Sequence, residues 1–154
     1  MNDEGEVTEL SFNIYCLENE QLKTILSYNT IEILDLEKNF LTNDEYNKST
    51  YGCLSLPTNY DLLNTLPNLK SIYLLGIANT DINIIYNISK SIENSIIGDS
   101  PYNDLILTQE IIDTISKLTN LNSLFLKYTE IGDALDFSKF RNLKKLTYLA
   151  LRMT

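Results

Sequence analysis

Aliphatic residues return in this chain on a beat of about two dozen residues, each time in the same local spacing. Around Leu121 the chain reads Leu121-Asn-Ser-Leu124-Phe-Leu126-Lys-Tyr-Thr129-Glu-Ile131, and around Ile31 it reads Ile31-Glu-Ile-Leu34-Asp-Leu36-Glu-Lys-Asn39-Phe-Leu41. Both place apolar residues at the first, fourth, sixth and eleventh positions and a small polar residue at the ninth. Val7, Leu10, Phe12 and Leu17 repeat the pattern near the start, with Tyr15 at the ninth, and Leu146, Leu149 and Leu151 repeat it near the end, followed by Thr154. The fourth and sixth positions are two residues apart, so in a strand their side chains share one face, and the residue between them points the other way. A fully buried Leu or Ile contributes roughly 1.5–3 kcal/mol. One unit holds too few of them to offset its own ordering entropy, so such units must stack and bury a shared apolar layer.

The fourth-position residues are Leu10, Leu34, Ile72, Leu124 and Leu149. Leu10 to Leu34 and Leu124 to Leu149 are single steps. Leu34 to Ile72 is one step plus an insertion of roughly a dozen residues, matching the polar run over 42–58. Ile72 to Leu124 is two steps, which demands a degenerate copy near 92–97 with Ser95 at the fourth position. Around Ile72 two registers compete: Leu69, Ile72 and Leu74 fit the core but leave Ile77 at the ninth position, while Ile72, Leu75, Ile77, Thr80 and Ile82 fit equally well.

A longer signature precedes several copies. Leu66-Pro67-Asn68-Leu69-Lys70-Ser71-Ile72 matches Leu118-Thr119-Asn120-Leu121-Asn122-Ser123-Leu124, and Phe140-Arg141-Asn142-Leu143-Lys144-Lys145-Leu146 is a third, displaced version. On these residues the chain resembles the leucine-rich repeat family, with its L-x-x-L-x-L-x-x-[N/T]-x-[L/I] core. The resemblance implies an α/β architecture: a right-handed solenoid with a curved parallel sheet on the concave face and short helices or loops on the convex face. One domain over 1–154 with about six repeats is expected. Return-leg helices are expected over Glu18–Tyr28, Ile82–Ile92 (Asp81 its cap) and Leu107–Leu118, where Thr108 is the N-cap and Glu110 suits the first turn. The ninth-position Asn or Thr is expected to hydrogen-bond backbone groups in the turn.

Composition removes several functions. The 154 residues include no His, which excludes Ser-His-Asp and Cys-His catalysis and every His-ligated metal. There is no glycine-rich phosphate loop and no coherent acid/base pair, so a non-catalytic chain without cofactor or metal is expected. Net charge is −9, which opposes nucleic-acid binding and anionic membranes. No stretch approaches the ~18 consecutive apolar residues of a transmembrane helix. Apolar residues at 44% and charged residues at 21% fit a globular core. Cys16 and Cys53 allow at most one internal disulfide, with two ordinary thiols as the alternative.

The family commonly binds partners on the concave face, and the resemblance implies the same here. The column after the fourth position reads Ser11, Asp35, Tyr73, Phe125 and Ala150, and the column before it reads Glu9, Ile33, Ser71, Ser123 and Tyr148. Beyond the sixth position stand Glu37, Lys38, Lys127, Tyr128 and Arg152. Tyr73, Phe125, Tyr128, Tyr148, Lys127, Asp35 and Glu37 are therefore the candidate partner-binding residues, since aromatic and Arg side chains anchor interfaces. Their aromatic content also follows from strand propensity alone. The partner class is a protein or peptide. The alternative is a carbohydrate, recognised by a section of a secreted or cell-surface adhesion protein.

Weaker features point in different directions. Asp99, Asp104 and Glu110 lack the spacing of a calcium loop. Asn47-Lys48-Ser49 and Asn87-Ile88-Ser89 match the glycosylation sequon no more often than composition predicts. Gly5-Glu6-Val7-Thr8-Glu9-Leu10 resembles the opening of plant-type extracellular repeats, whereas Leu118 through Asp133 resembles surface adhesins and phosphatase-regulating intracellular members. The compartment stays open. Both ends lack the polar capping layer that terminal repeats need, so the chain is expected to be a section of something longer.

Overall fold

The computed structural model of the chain describes residues 2–11, 19–35, 61–74, 83–98, 105–131 and 134–152. Cys16, Glu37, Lys38, Asp81, Cys53 and the 42–58 insertion lie outside them. The described elements are, in order, β1 (Glu9–Ser11), α1 (Asn19–Leu26), β2 (Ile33–Asp35), a 3₁₀ turn (Asp61–Thr65), β3 (Ser71–Leu74), α2 (Asn83–Tyr86), β4 (Asn94–Gly98), β5 (Leu105–Leu107), α3 (Gln109–Ile115), β6 (Ser123–Lys127), β7 (Thr129–Ile131), a second 3₁₀ turn (Phe137–Asn142) and β8 (Tyr148–Arg152). Six strands form one sheet in the order β1-β2-β3-β4-β6-β8, every pair parallel, and β5 and β7 form a separate parallel pair. The result is a mostly parallel sheet with short helices.

Register follows the aliphatic spacing. Leu10 stands opposite Leu34, Leu34 opposite Ile72, Ile72 opposite Ser95, Ser95 opposite Leu124, and Leu124 opposite Leu149. Two residues on, Leu74, Ile97, Leu126 and Leu151 make the second column. The two columns share a face because strand side chains alternate with a period of two. Leu34, Ile72, Leu74, Ile97, Leu124 and Leu126 are all completely buried. At Ile72 the spacing Leu69, Ile72, Leu74 is the one realised, with Leu69 also buried; residues 75–82 of the competing spacing are outside the described set.

Successive rungs are tied by one recurring hydrogen-bond fork. The Thr8 carbonyl accepts from the backbone N–H groups of both Glu32 and Ile33, and the Glu32 carbonyl from those of Lys70 and Ser71. Lys70 serves Glu93 and Asn94, Glu93 serves Asn122 and Ser123, and Asn122 serves Thr147 and Tyr148 in the same way. A side-chain ladder runs beside the forks, from the residue just before each first-position aliphatic. Thr30 Oγ1 donates to the Val7 carbonyl, Asn68 Nδ2 to Asn29, Ser91 Oγ to Leu69 and Asn120 Nδ2 to Lys90, while Lys145 Nζ donates to Asn120 Oδ1. This explains the Asn of the Leu-x-Asn-Leu signature. Its amide spans the gap between two turns, and each such bond adds about 1 kcal/mol.

The return legs cover the core on the side away from the open sheet face. Ile25 and Leu26 of α1, Ile85 of α2, and Ile111, Ile112 and Ile115 of α3 are buried in one cluster with the strand leucines. These helices are shorter than the spacing alone suggests. The first spans Asn19–Leu26, the second only Asn83–Tyr86, and the third Gln109–Ile115, because Leu107 belongs to β5. Thr108 caps α3, its hydroxyl accepting from the Ile111 N–H. Thr129, at a ninth position, departs from expectation: its side chain is fully buried at the start of β7 and its hydroxyl has no hydrogen-bond partner. β7 instead pairs with β5 through its backbone. The Ser95 hydroxyl, between Ile72 and Leu124, is likewise buried and unpaired.

A polar junction locks α3 to the second 3₁₀ turn. Gln109 Nε2 donates to Asp113 Oδ1 and to the Asp136 carbonyl, and Gln109 Oε1 accepts from the Asp136 N–H. Lys139 Nζ pairs with Asp113 Oδ2. The Lys139 ammonium, then the Gln109 amide, hold the Asp113 carboxyl below its ordinary range. The Ser138 hydroxyl and N–H do the same for Asp136. Across the adjacent legs Tyr86 donates to Glu110, and burial followed by this bond pushes the Tyr86 phenol up.

Two predictions follow from this packing. Leu124→Ala should lower the unfolding free energy in urea by about 2–5 kcal/mol, whereas Ser95→Ala, which removes an unpaired buried hydroxyl, should raise it by about 1 kcal/mol. Both aspartates are depressed in the folded state. Their contribution is present above the unfolded carboxylate pKa and is lost as pH falls through that range to the lowered folded values. Melting temperature should therefore fall on acidification, and Asp113→Asn should make that fall shallower.

Candidate binding face

The residue between the two core positions of each rung points away from the helices. In register these residues form the row Ser11, Asp35, Tyr73, Ile96, Phe125 and Ala150. Neighbouring strands lie about 4.8 Å apart, so each side chain in the row packs on the next. That is why Asp35, Tyr73, Ile96 and Phe125 are only half-exposed although no layer of the described residues covers them. The row just before it reads Glu9, Ile33, Ser71, Asn94, Ser123 and Tyr148. Ser71 is buried there, its hydroxyl accepting from Asn94 Nδ2 at 3.2 Å. Tyr148, on the end strand, is 54% exposed.

The face changes character along the stack. At the β1–β2 end Glu9 and Asp35 are acidic, and Ser11 Oγ donates to Asp35 Oδ2 at 3.0 Å. Tyr73, Ile96 and Phe125 make an apolar middle. At the far end Lys127 and Arg152 are register partners, and both reach the Tyr128 ring, with Lys127 Nζ 5.4 Å and the Arg152 guanidinium carbon 5.6 Å from its centroid. Each cation over the ring is stabilised by roughly 0.5–1 kcal/mol at such an exposed site.

Tyr128 holds this end in place by an unusual backbone. Its φ is +51°, the left-handed region, where a residue with a Cβ costs roughly 1–2 kcal/mol. The turn is held from both sides: the Tyr128 N–H donates to the Arg152 carbonyl at 2.9 Å, and its carbonyl accepts from the Leu105 N–H at 3.0 Å. Here the chain leaves the six-stranded sheet and enters the pair β5–β7. The ring is thus positioned by the junction of the two sheets.

The structure brings together Tyr73 and Phe125 with Ile96 between them, and Lys127 with Tyr128. It sets Tyr148 beside Ser123, one row away. Asp35 lies at the opposite end of the sheet from Lys127, and Glu37 is outside the described residues. Ile96 and Asn94 are additions from the degenerate copy. Once Ser95 is read as a fourth-position residue, both take their places in the two rows. Arg152 joins the site because its ladder partner is Lys127. Among the described residues no group of three or more His, Cys, Asp or Glu side chains could hold a metal ion, and no helix is long and apolar enough to cross a membrane.

No protein-family model matches this sequence, and no curated protein sequence matches it. Among solved structures, the chain is similar to an internalin from Listeria monocytogenes at 20% identity and a TM-score of 0.43, the match covering 96% of this chain and 48% of that one. The chain thus spans about half the length of that protein.

The left-handed backbone at Tyr128 yields its own test. Tyr128→Asn and Tyr128→Val both delete the ring, but Asn tolerates positive φ and a β-branched residue does not. Tyr128→Val should melt at a lower temperature than Tyr128→Asn, by the equivalent of about 1–2 kcal/mol.

Proposed function

We propose that this chain is a leucine-rich repeat solenoid that recognises a protein or peptide partner, without catalysis, through the concave face of its sheet. The observation that carries the reading is the half-exposed row Tyr73, Ile96 and Phe125, in register on three adjacent strands, with the Lys127–Tyr128–Arg152 cluster beyond it. Aromatic and Arg side chains with little freedom left to lose are effective interface anchors. Tyr73 and Phe125 are already held by their row neighbours, so burying them against a partner releases water at small entropic cost. Asp35, Glu9 and Glu37 make the acidic end of the same face, and Tyr148 flanks it. The rows hold hydroxyls, amides, rings and the carboxylates of Glu9 and Asp35, and this reading assigns them to contact with a partner.

The experiment is affinity capture with the full-length gene product, repeated with substitutions on the two sides of the sheet. Phe125→Ala and Tyr73→Ala should reduce recovery of the partner by tenfold or more, the order expected of an interface anchor worth about 2 kcal/mol, with melting temperatures far closer to wild type than that of Leu34→Ala. Lys117→Ala, at the exposed end of α3, should leave recovery unchanged. Equal losses from Phe125→Ala and Lys117→Ala would refute the concave-face assignment.

A further inference from the structure

Charge changes sign along the open face of the sheet. Asp35 stands on β2, Tyr73 on β3, Ile96 on β4, and Phe125 and Lys127 on β6. Each of these strands has a paired strand on both sides, so the order of the five residues does not depend on what lies beside β1 or β8. Three strand spacings separate Asp35 from Phe125, and Lys127 is two residues further along β6, which sets the two charges roughly 16 Å apart. Half-exposed Tyr73, Ile96 and Phe125 fill the distance between them. Ser11 Oγ donates to Asp35 Oδ2 at 3.0 Å, and Lys127 Nζ lies 5.4 Å from the Tyr128 ring centroid. Exposed Glu9, on the neighbouring strand, adds to the negative end, and Arg152, the register partner of Lys127, adds to the positive end.

In about 150 mM salt charges are screened over about 8 Å. That is half the distance from Asp35 to Lys127, so a ligand on this face meets two local charges of opposite sign rather than the net charge of −9. A uniformly basic segment gains at Asp35 and is repelled at Lys127, and a uniformly acidic one does the reverse. A segment with one charge of each sign is attracted at both ends, alongside the contacts Asp35 and Lys127 already make. Alternate side chains of an extended peptide point the same way, so a cation and an anion at this separation stand roughly four to six residues apart, with apolar side chains between them. We infer, on the reading of the open face given above, that the partner presents an extended segment of this kind. A Lys or Arg lies over Asp35, one or two aliphatic or aromatic residues over Tyr73, Ile96 and Phe125, and an Asp or Glu over Lys127. Either chain direction serves, because side chains make the contacts.

Selection of a phage-displayed random peptide library on the full chain, in about 150 mM salt, tests this. The wild-type chain should enrich peptides in which a basic and an acidic residue flank apolar ones at roughly that spacing. Lys127→Glu should instead enrich peptides that are basic at both ends, and Asp35→Lys peptides that are acidic at both. Lys127→Gln and Asp35→Asn remove one charge at nearly constant size. Each should bind a wild-type-selected peptide about three- to tenfold more weakly, and replacing the acidic residue of the peptide by Gln should cost Lys127→Gln nothing further. Uniformly charged or charge-indifferent peptides from the wild-type selection overturn the inference. So does a selection that enriches nothing, and so does a preference that Lys127→Glu and Lys127→Gln both leave unchanged. Peptides without the charge order that lose binding to Phe125→Ala overturn it and leave the concave-face reading standing, whereas peptides that bind Phe125→Ala as tightly as wild type refute both.

Discussion

No rung of this chain can bury its own leucines. A strand of three to five residues has one or two inward side chains, and the next rung is the surface that covers them. Everything else in the structure serves the alignment this requires. The fork in which one carbonyl accepts two N–H groups sets the position of each rung on the last, and the polar side chain before each first-position aliphatic ties the turn above to the turn below. A one-residue slip would turn every core leucine to the open face and bring Tyr73, Ile96 and Phe125 inward. Core and open face are thus two sides of one register.

This explains why the return legs vary while the strands do not. Between strands the chain needs only to reach the next rung and to contribute one or two aliphatic side chains to the layer beneath the sheet. An eight-residue helix does so between β1 and β2, a four-residue helix between β3 and β4, and a strand plus a helix between β4 and β6. Among the described residues, irregularity is concentrated where that leg and the next one, between β6 and β8, meet. β5 and β7 make their own parallel pair, the Tyr128 backbone turns left-handed to pass between the sheets, and the Thr129 hydroxyl is buried without a partner. The cost of that local strain is met by the two backbone bonds on Tyr128 and the apolar burial of Leu105 and Leu107. The same turn aims a ring at two cations.

Much of the strand register is legible before any coordinates. Leu10, Leu34, Ile72, Leu124 and Leu149 are the residues that pair, because a period-two alternation with large aliphatics at both inward positions leaves few other ways to bury them. Ser95 is found only by counting: the interval between Ile72 and Leu124 holds one rung too many for the leucines available. The helix over Leu107–Leu118 is misjudged at its start because Leu105 and Leu107 alternate as a strand while Leu107, Ile111 and Ile115 recur as a helix. Thr108, an N-cap in the sequence and in the structure, marks where one period gives way to the other.

The amino-acid order alone therefore decided the inward positions and the residues that stand between them, Tyr73 and Phe125 among them, since those follow from spacing within a rung, while the parallel sense of the strands was what the resemblance to leucine-rich repeats implied. Folding in three dimensions decided how the rungs combine: that Ile96 stands between Tyr73 and Phe125, that Arg152 meets Lys127 on the Tyr128 ring, and that β5 finds β7. The first group depends on local geometry, in which two residues along a strand always share a face. The second depends on which residues from distant stretches come to the same height in the stack, and that is set by the lengths and bends of the legs between them, to which a repeat spacing is blind.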